Sequence, residues 1–324
     1  MRSPVAPEML ARLGPLDVAE SVAAARLRCH QAWYRSEVLQ LSRFGRLPLP
    51  SGRPVGSVLH PEDAVRGANF TSPAARSLYQ RRRAEGWGVD PQRCTTVMTS
   101  SQALTINLMA PLFNDLRWAG AVFGQILGIA GCVVDDIWLE YAPARRSLFL
   151  QDSTRMDVLV ALRYGAESRY VAIEVKLVDR FISRVLPIGE AYQQLFSDIP
   201  LWRSNIHEHL DRSTNQLLRV HALAAAIGRV RGATKLAGLL LLTHPLLGDA
   251  TSVARAYRQQ LNDASDLTHA TLAALLAVMH DTAGSIEDRQ YCVALRERYI
   301  DLEPSEAVWV ASQADRSSGR TVLS

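Results

Sequence analysis

Residues 156–176 read MDVLVALRYGAESRYVAIEVK. Val171, Ile173 and Val175 alternate with their neighbours, and the turn residues Gly165-Ala166-Glu167-Ser168 separate them from the apolar stretch Val158 to Leu162. This period of two predicts strands over Met156 to Tyr164 and Tyr170 to Leu177, joined by a tight turn as an antiparallel hairpin. In the second strand Val171, Ile173 and Val175 point one way, and Ala172, Glu174 and Lys176 point the other. An otherwise apolar strand therefore carries a carboxylate and an ammonium on one face, two residues apart. With the turn centred near Gly165 and Ala166, Asp157 falls opposite Glu174, or opposite Lys176 if the register slips by two. Opposed Cβ atoms on one face of such a pair lie roughly 4.5–5.5 Å apart.

Two carboxylates that close repel each other unless a cation sits between them. Their oxygens suit a hard divalent ion such as Mg²⁺, which keeps several waters and takes one or two protein carboxylates; Mn²⁺ is the expected substitute. Such an ion acidifies a bound water and stabilises charge building on a phosphate. A neighbouring lysine can orient that water, help to deprotonate it, or offset transition-state charge. Asp157, Glu174 and Lys176 thus form a candidate catalytic set for phosphodiester hydrolysis, with Asp157 and Glu174 as metal ligands. A buried salt bridge is the competing reading, but it leaves the second acid unexplained and still costs desolvation. Lysine is also rare here. It occurs only at Lys176 and Lys235, and arginine supplies the other 34 of the 36 basic residues. Where arginine is the default cation, a lysine in an apolar strand is informative, because its compact charge behaves differently from a planar fork.

Outward from the hairpin, helical spacing is predicted over Val18 to Leu41 and Ala74 to Glu85, the second after a Thr71-Ser72-Pro73 start. That second helix carries Arg76, Arg81, Arg82 and Arg83, which read as a solvated face or as phosphate contacts. The segment from Phe44 to Pro61, rich in proline and glycine, is expected to be irregular. A helix is predicted from Ser100 to Leu127, which Pro111 can kink or divide. A strand follows over Val133 to Tyr141. After the hairpin come an amphipathic helix from Ser213 to about Ile227 and a continuously apolar strand from Leu236 to Thr243, suited to a buried parallel position. Helical segments over Leu267 to His280 and Ile286 to Tyr299 close the chain. The order helix-strand-strand-strand-helix-strand predicts an α/β fold with a mixed sheet flanked by helices.

Composition narrows the class. The 324-residue chain is 48% hydrophobic and carries a net charge of +4, which allows a nucleic-acid partner without requiring one. No apolar run reaches the roughly 18 residues of a membrane helix. The first residues lack a secretory apolar stretch, and Cys29, Cys94, Cys132 and Cys292 form no Cys-x-x-Cys pair, so a cytoplasmic protein with reduced thiols is expected. No phosphate-cradling glycine loop or dinucleotide fingerprint is present. His207-Glu208-His209 could suggest zinc, but no third ligand stands at a familiar spacing, so a surface loop is the expectation.

Four blocks carry a resemblance: SSQALTINLMAPL (100–112), LEYAP (139–143), TRMDVLV (154–160) and IEVK (173–176). In this order they resemble the PD-(D/E)XK nuclease superfamily, with its restriction-endonuclease-like fold, and within it a bacterial group of restriction-endonuclease-like nucleases. The likeness spans roughly residues 66 to 245. It implies that Asp157 and Glu174 bind the metal and that Lys176 is the active-site lysine. Met156 stands where the superfamily usually has proline. Glu140, ending the first strand on the same side of the sheet by alternation, is a candidate third metal ligand. The first core helix, where the superfamily often has an acid, offers Gln102 and Asn107, which could act through water or substrate. Gln216 and Arg219, one helical turn apart, match positions where glutamine or a basic residue often flanks the site. The resemblance implies an Mg²⁺-dependent endonuclease acting on DNA in preference to RNA, of restriction, defence or repair type. A nuclease-like fold that binds nucleic acid or protein without cutting is the alternative, and a homodimer stays open. The expected division is a helical extension over 1–95, a nuclease-like core over 96–245 and a helical region over 246–324 packed on the core.

Overall fold

In the computed structural model the hairpin forms, and three further strands extend it into a five-stranded mixed sheet. The structure describes residues 7–16, 21–48, 52–86, 88–151, 153–185, 187–203, 206 and 211–317. In chain order the elements begin with α1 (Pro7–Leu13), α2 (Val22–Trp33), β1 (Phe44–Arg46), β2 (Pro54–Leu59), α3 (Pro61–Val65), α4 (Pro73–Ala84) and α5 (Pro91–Thr96). Then come α6 (Ser101–Asn114), α7 (Leu116–Leu127), β3 (Val133–Tyr141), β4 (Met156–Tyr164), β5 (Glu167–Lys176), α8 (Glu190–Asp198) and α9 (Asn215–Val230). The last are β6 (Gly238–Thr243), α10 (Ala250–Arg258), β7 (Leu267–Thr271), α11 (Leu272–Thr282), α12 (Ile286–Tyr299) and α13 (Glu306–Ser317).

The sheet order is β3-β4-β5-β6-β7. Strands β3, β4 and β5 are antiparallel in turn, and β6 and β7 add parallel to β5. The β4–β5 register pairs Val158 with Ile173 and Leu159 with Ala172, closing at Tyr164 and Glu167 around Gly165, whose φ of 59° its missing Cβ permits. A parallel neighbour requires a crossover, and α9 supplies it between β5 and β6. Leu239, Leu240, Leu241 and Leu242 are all buried, as expected of a strand covered on both faces. Leu217, Leu218, Val220 and Leu223 of α9 pack with Leu159, Ala172, Leu239 and Leu241 in one core. This is the mixed α/β sheet flanked by helices of a restriction-endonuclease-like core.

Three local expectations are corrected. The helix predicted over Ser100 to Leu127 is divided, and the break comes at Asp115 rather than Pro111. Asp115 Oδ1 accepts from the N–H groups of Arg117 (3.0 Å) and Trp118 (2.9 Å), capping α7. The helix predicted over Leu267 to His280 begins instead as β7, because pairing with β6 overrides local periodicity; Thr271 then caps α11 through Ala274 N–H. The segment from Phe44 to Pro61 contains the β1–β2 pair. Glycines there allow close backbone approach: a Cβ on Gly45 would lie 2.2 Å from Leu59 O, and one on Gly56 1.9 Å from Leu13 O. Pro54 opens its strand, where a missing N–H is tolerated.

The chain forms two compact units, one of residues 1–85, 89–108 and 290–324, the other of 86–88 and 109–289. The two chain ends therefore share a unit, a grouping different from the linear ranges 1–95, 96–245 and 246–324. In the first unit α2 packs on β2 and α13. Its fully buried Arg35 donates to Gly56 O (2.8 Å) and Arg43 O (2.9 Å), and burial brings its pKa down to about 10. The second unit contains the whole five-stranded sheet. All four cysteines are free thiols. Among the described residues no helix is long and apolar enough to cross a membrane.

The cap on α7 is directly testable. Asp115→Ala should cost about 1 kcal/mol of stability by removing the cap, read as a lower urea midpoint with an unchanged slope. An unchanged midpoint would show that α7 starts without help from Asp115.

Candidate active site

Alternation along β5 places Glu174 and Lys176 on the face of Ala172, and the register turns Asp157 to the same face beside Leu159. Glu174 is 1% exposed and Lys176 7%. Lys176 Nζ lies 2.7 Å from Glu174 Oε1. Gln216, in the first turn of α9, closes a triangle: its Nε2 donates to Glu174 Oε1 at 2.6 Å, and its Oε1 accepts from Lys176 Nζ at 3.0 Å. The turn that presents Gln216 is held by Asp211, whose Oδ1 accepts from Ser213 N–H (2.7 Å) and Thr214 N–H (2.9 Å).

Asp157 Oδ2 accepts from Val175 N–H at 2.8 Å, and Asp157 as a residue is half-buried, against the fuller burial of Glu174 and Lys176. Solvent thus meets the cluster at Asp157, while Glu174 and Lys176 lie behind it. Burial, and then the charges of Glu174 and Glu140, raise the Asp157 carboxyl well above the usual carboxylate range; Lys176 and the Val175 N–H oppose this without reversing it. Burial alone would depress Lys176, but Glu174 and Asp157 more than offset it, and its pKa is raised. The ammonium form therefore persists at neutral pH.

Glu140 belongs to the same cluster. Its strand neighbours pair Leu139 with Val158 and Tyr141 with Met156, so Glu140 stands opposite Asp157. It is 3% exposed and adopts a φ of 45°, a left-handed conformation costing a non-glycine residue roughly 1–3 kcal/mol. Arg155 Nε lies 3.9 Å from Glu140 Oε2, and the Arg155 guanidinium also donates to Gly88 O. Arg219, one turn beyond Gln216, donates from Nε to Thr154 Oγ1 at 3.3 Å and lies over the Tyr192 ring, 5.2 Å from its centroid.

Gln102 and Asn107 are engaged elsewhere. Both lie in the first unit: Gln102 accepts from Asp90 N–H (3.1 Å), and the fully buried Asn107 bonds Thr71 N–H, Asn69 O and Tyr299 OH. Their amides build that unit's packing. Of the arginine cluster on α4, Arg76 donates to Val65 O, Arg82 lies 3.7 Å from Glu85, and Arg81 and Arg83 are exposed. The His207-Glu208-His209 triplet lies outside the described residues. Arg155 and Tyr192 were missed in the sequence. Tyr192 and Leu195 at helical spacing after Gly189 would have revealed α8, whereas Arg155 carried no signal beyond its place before Met156.

Among the described residues no three acidic, histidine or cysteine side chains already converge on one metal-sized point. The residues nonetheless fit a divalent cation. Glu174 Oε1 is taken by Lys176 and Gln216, but its buried Oε2 has no hydrogen-bond partner. Burial, and then the like charges of Glu174 and Glu140, drive the neighbouring acid toward its neutral form, and the donors are all oxygen, as a hard ion requires.

Sheet and site together define a nuclease-type fold. A family model described as the PD-(D/E)XK nuclease superfamily matches residues 18–301, and the chain belongs to that superfamily. Membership points to nuclease activity, and the superfamily generally uses divalent metals. No curated protein and no solved structure matches the chain.

The raised Asp157 pKa has a stability consequence. Its folded value exceeds the unfolded value of about 3.9, so stability of the metal-free protein falls as pH rises from that value through the folded pKa. Asp157→Asn keeps an acceptor for Val175 N–H and removes the charge. It should raise the melting temperature of metal-free protein by a few degrees at neutral pH, with the gain fading in acid. Calorimetry in chelator showing a neutral-pH loss would contradict the like-charge account.

Proposed function

We propose that the protein is a divalent-metal-dependent endonuclease that hydrolyses phosphodiester bonds in DNA, with Asp157, Glu174 and Lys176 at its centre and Mg²⁺ as the ion, Mn²⁺ substituting. The observation that carries this reading is the division of labour at Glu174. One oxygen is fixed by Lys176 and Gln216, and the other is buried, unbonded and on the face shared with Asp157.

Asp157 and Glu174 would hold the cation, with Glu140 as a third acid opposite Asp157. The bound ion supplies Lewis-acid charge on the phosphate and a more acidic water. The chain's own residues do the rest. Gln216 and Lys176 fix the Glu174 carboxylate, and the buried ammonium places positive charge where a phosphate would gain negative charge. Arg155 offsets part of the Glu140 charge. Placing the substrate as DNA in preference to RNA, in restriction, defence or repair, draws on the family and on a net charge of +4 that suits a polyanion.

Lys176 gives the sharpest test. An arginine in its place would be bulkier and would clamp Glu174 or Asp157 in a bidentate pair, excluding the ion. Lys176→Arg should fold and keep the net charge, yet lose at least about 100-fold of plasmid nicking in Mg²⁺, the scale seen when one transition-state donor is removed. Glu174→Gln should lose metal affinity as well, read by titration calorimetry. Near-wild-type nicking by Lys176→Arg would reduce the lysine to a charge balance.

A further inference from the structure

Next to the acids, the second unit holds a cavity of about 660 Å³ walled in part by Arg146, Gln151, Ser153, Glu190, Tyr192 and Arg219. It adjoins the acidic cluster by chain geometry on two sides. Arg219 is one turn of α9 from Gln216, which touches both Glu174 and Lys176. Its Nε bonds Thr154, three residues before Asp157.

The cavity wall is built by specific contacts. Arg219, 8% exposed, is held over the buried Tyr192 ring. The loop carrying Arg146 folds on itself: Phe149 N–H (3.0 Å) and Gln151 N–H (3.1 Å) both donate to Arg146 O, and Leu150 anchors it in the core. Gln151 closes the loop at a φ of 56°, a conformation that persists in a non-glycine residue only when its surroundings enforce it. On the opposite side α8 begins at Gly189, with no side-chain cap on its first N–H groups.

Among the described residues lining this space, two are arginines and one, Glu190, is a carboxylate. Guanidinium forks recognise phosphate oxygens bidentately. Small-ligand pockets run from about 300 to 1,000 Å³, so the volume suits a nucleotide better than a bare ion. We propose that this cavity receives a nucleotide phosphate adjoining the scissile bond, bound by Arg146 and Arg219. The proposal rests on the nuclease reading of the adjacent acids. Either an internal diester of the strand or a terminal phosphomonoester would present this chemistry.

The test is fluorescence anisotropy of full-length Asp157→Asn protein without divalent metal. The probes are short labelled DNA strands with a 5′-phosphate, with a 3′-phosphate, with neither, or with one internal methylphosphonate. Arg146→Gln and Arg219→Gln are added in the same background. Arg146 is half-buried on a loop, so its variant keeps the Arg219–Tyr192 packing and should melt with its parent. Each substitution should weaken binding about tenfold, the scale of a charge-assisted hydrogen bond, and lower the salt slope by about one.

If a terminal monoester occupies the cavity, removing that phosphate should cost the parent at least about tenfold and cost the Arg146→Gln variant, which keeps only the Arg219 contact, clearly less. If an internal diester does, one methylphosphonate position should show the same non-additivity. Parental affinity and salt slope in both arginine variants would overturn the proposal. Plasmid nicking by the wild-type protein reads the acids separately: nicking together with parental binding by the variants sinks the pocket alone. A parent that binds no strand, with a wild type that nicks nothing, sinks both readings.

Discussion

Everything at this site depends on burying like charges on one face of a sheet. Glu174 and Lys176 follow Ala172 on that face, while Asp157 and Glu140 come from the next two strands at the same level. Carboxylates placed this way repel, and desolvation adds to the cost. The rest of the unit makes the arrangement tolerable. β6 presents the buried run Leu239 to Leu242, α9 covers the face with aliphatic side chains, and one helix-borne amide bridges the acid and the lysine. The residual repulsion falls on Asp157, the acid nearest solvent, where an incoming cation would relieve it.

The two lysines show how specific that environment is. Lys235 pairs with Glu167 at 2.8 Å, with about half of each side chain in solvent. Surface pairs of that kind add little to stability, and arginine could serve there equally. Lys176 sits behind the acids, in a space shaped by Gln216 and β5, where a single compact charge fits and a fork would seize both carboxylates.

Period-two alternation made β3, β4 and β5 legible, and with them the opposition of Asp157 and Glu174. The apolar run of β6 and the stripe of α9 were equally plain, and helical spacing led from Gln216 to Arg219. What stayed hidden depends on contacts distant in sequence. β7 exists because β6 offers it a parallel edge, since Leu267 to Thr271 has no strand signature of its own. The break at Asp115 depends on two capping hydrogen bonds that a helical periodicity cannot show. Gln102 and Asn107 sit on a helix that pattern alone could not orient, and their partners, Asp90, Thr71, Asn69 and Tyr299, belong to the first unit. The left-handed backbone of Glu140 is likewise invisible in a residue with no preference for it.

The central claim is that opposed acids on this hairpin hold a divalent cation. Anomalous diffraction from crystals grown with Mn²⁺ tests it most directly. The account predicts one strong manganese peak in contact with both Asp157 and Glu174, at the roughly 2.0–2.2 Å spacing of small hard cations to oxygen. It also predicts that the peak disappears in Glu174→Gln crystals. Density showing manganese bound elsewhere or not at all would contradict it.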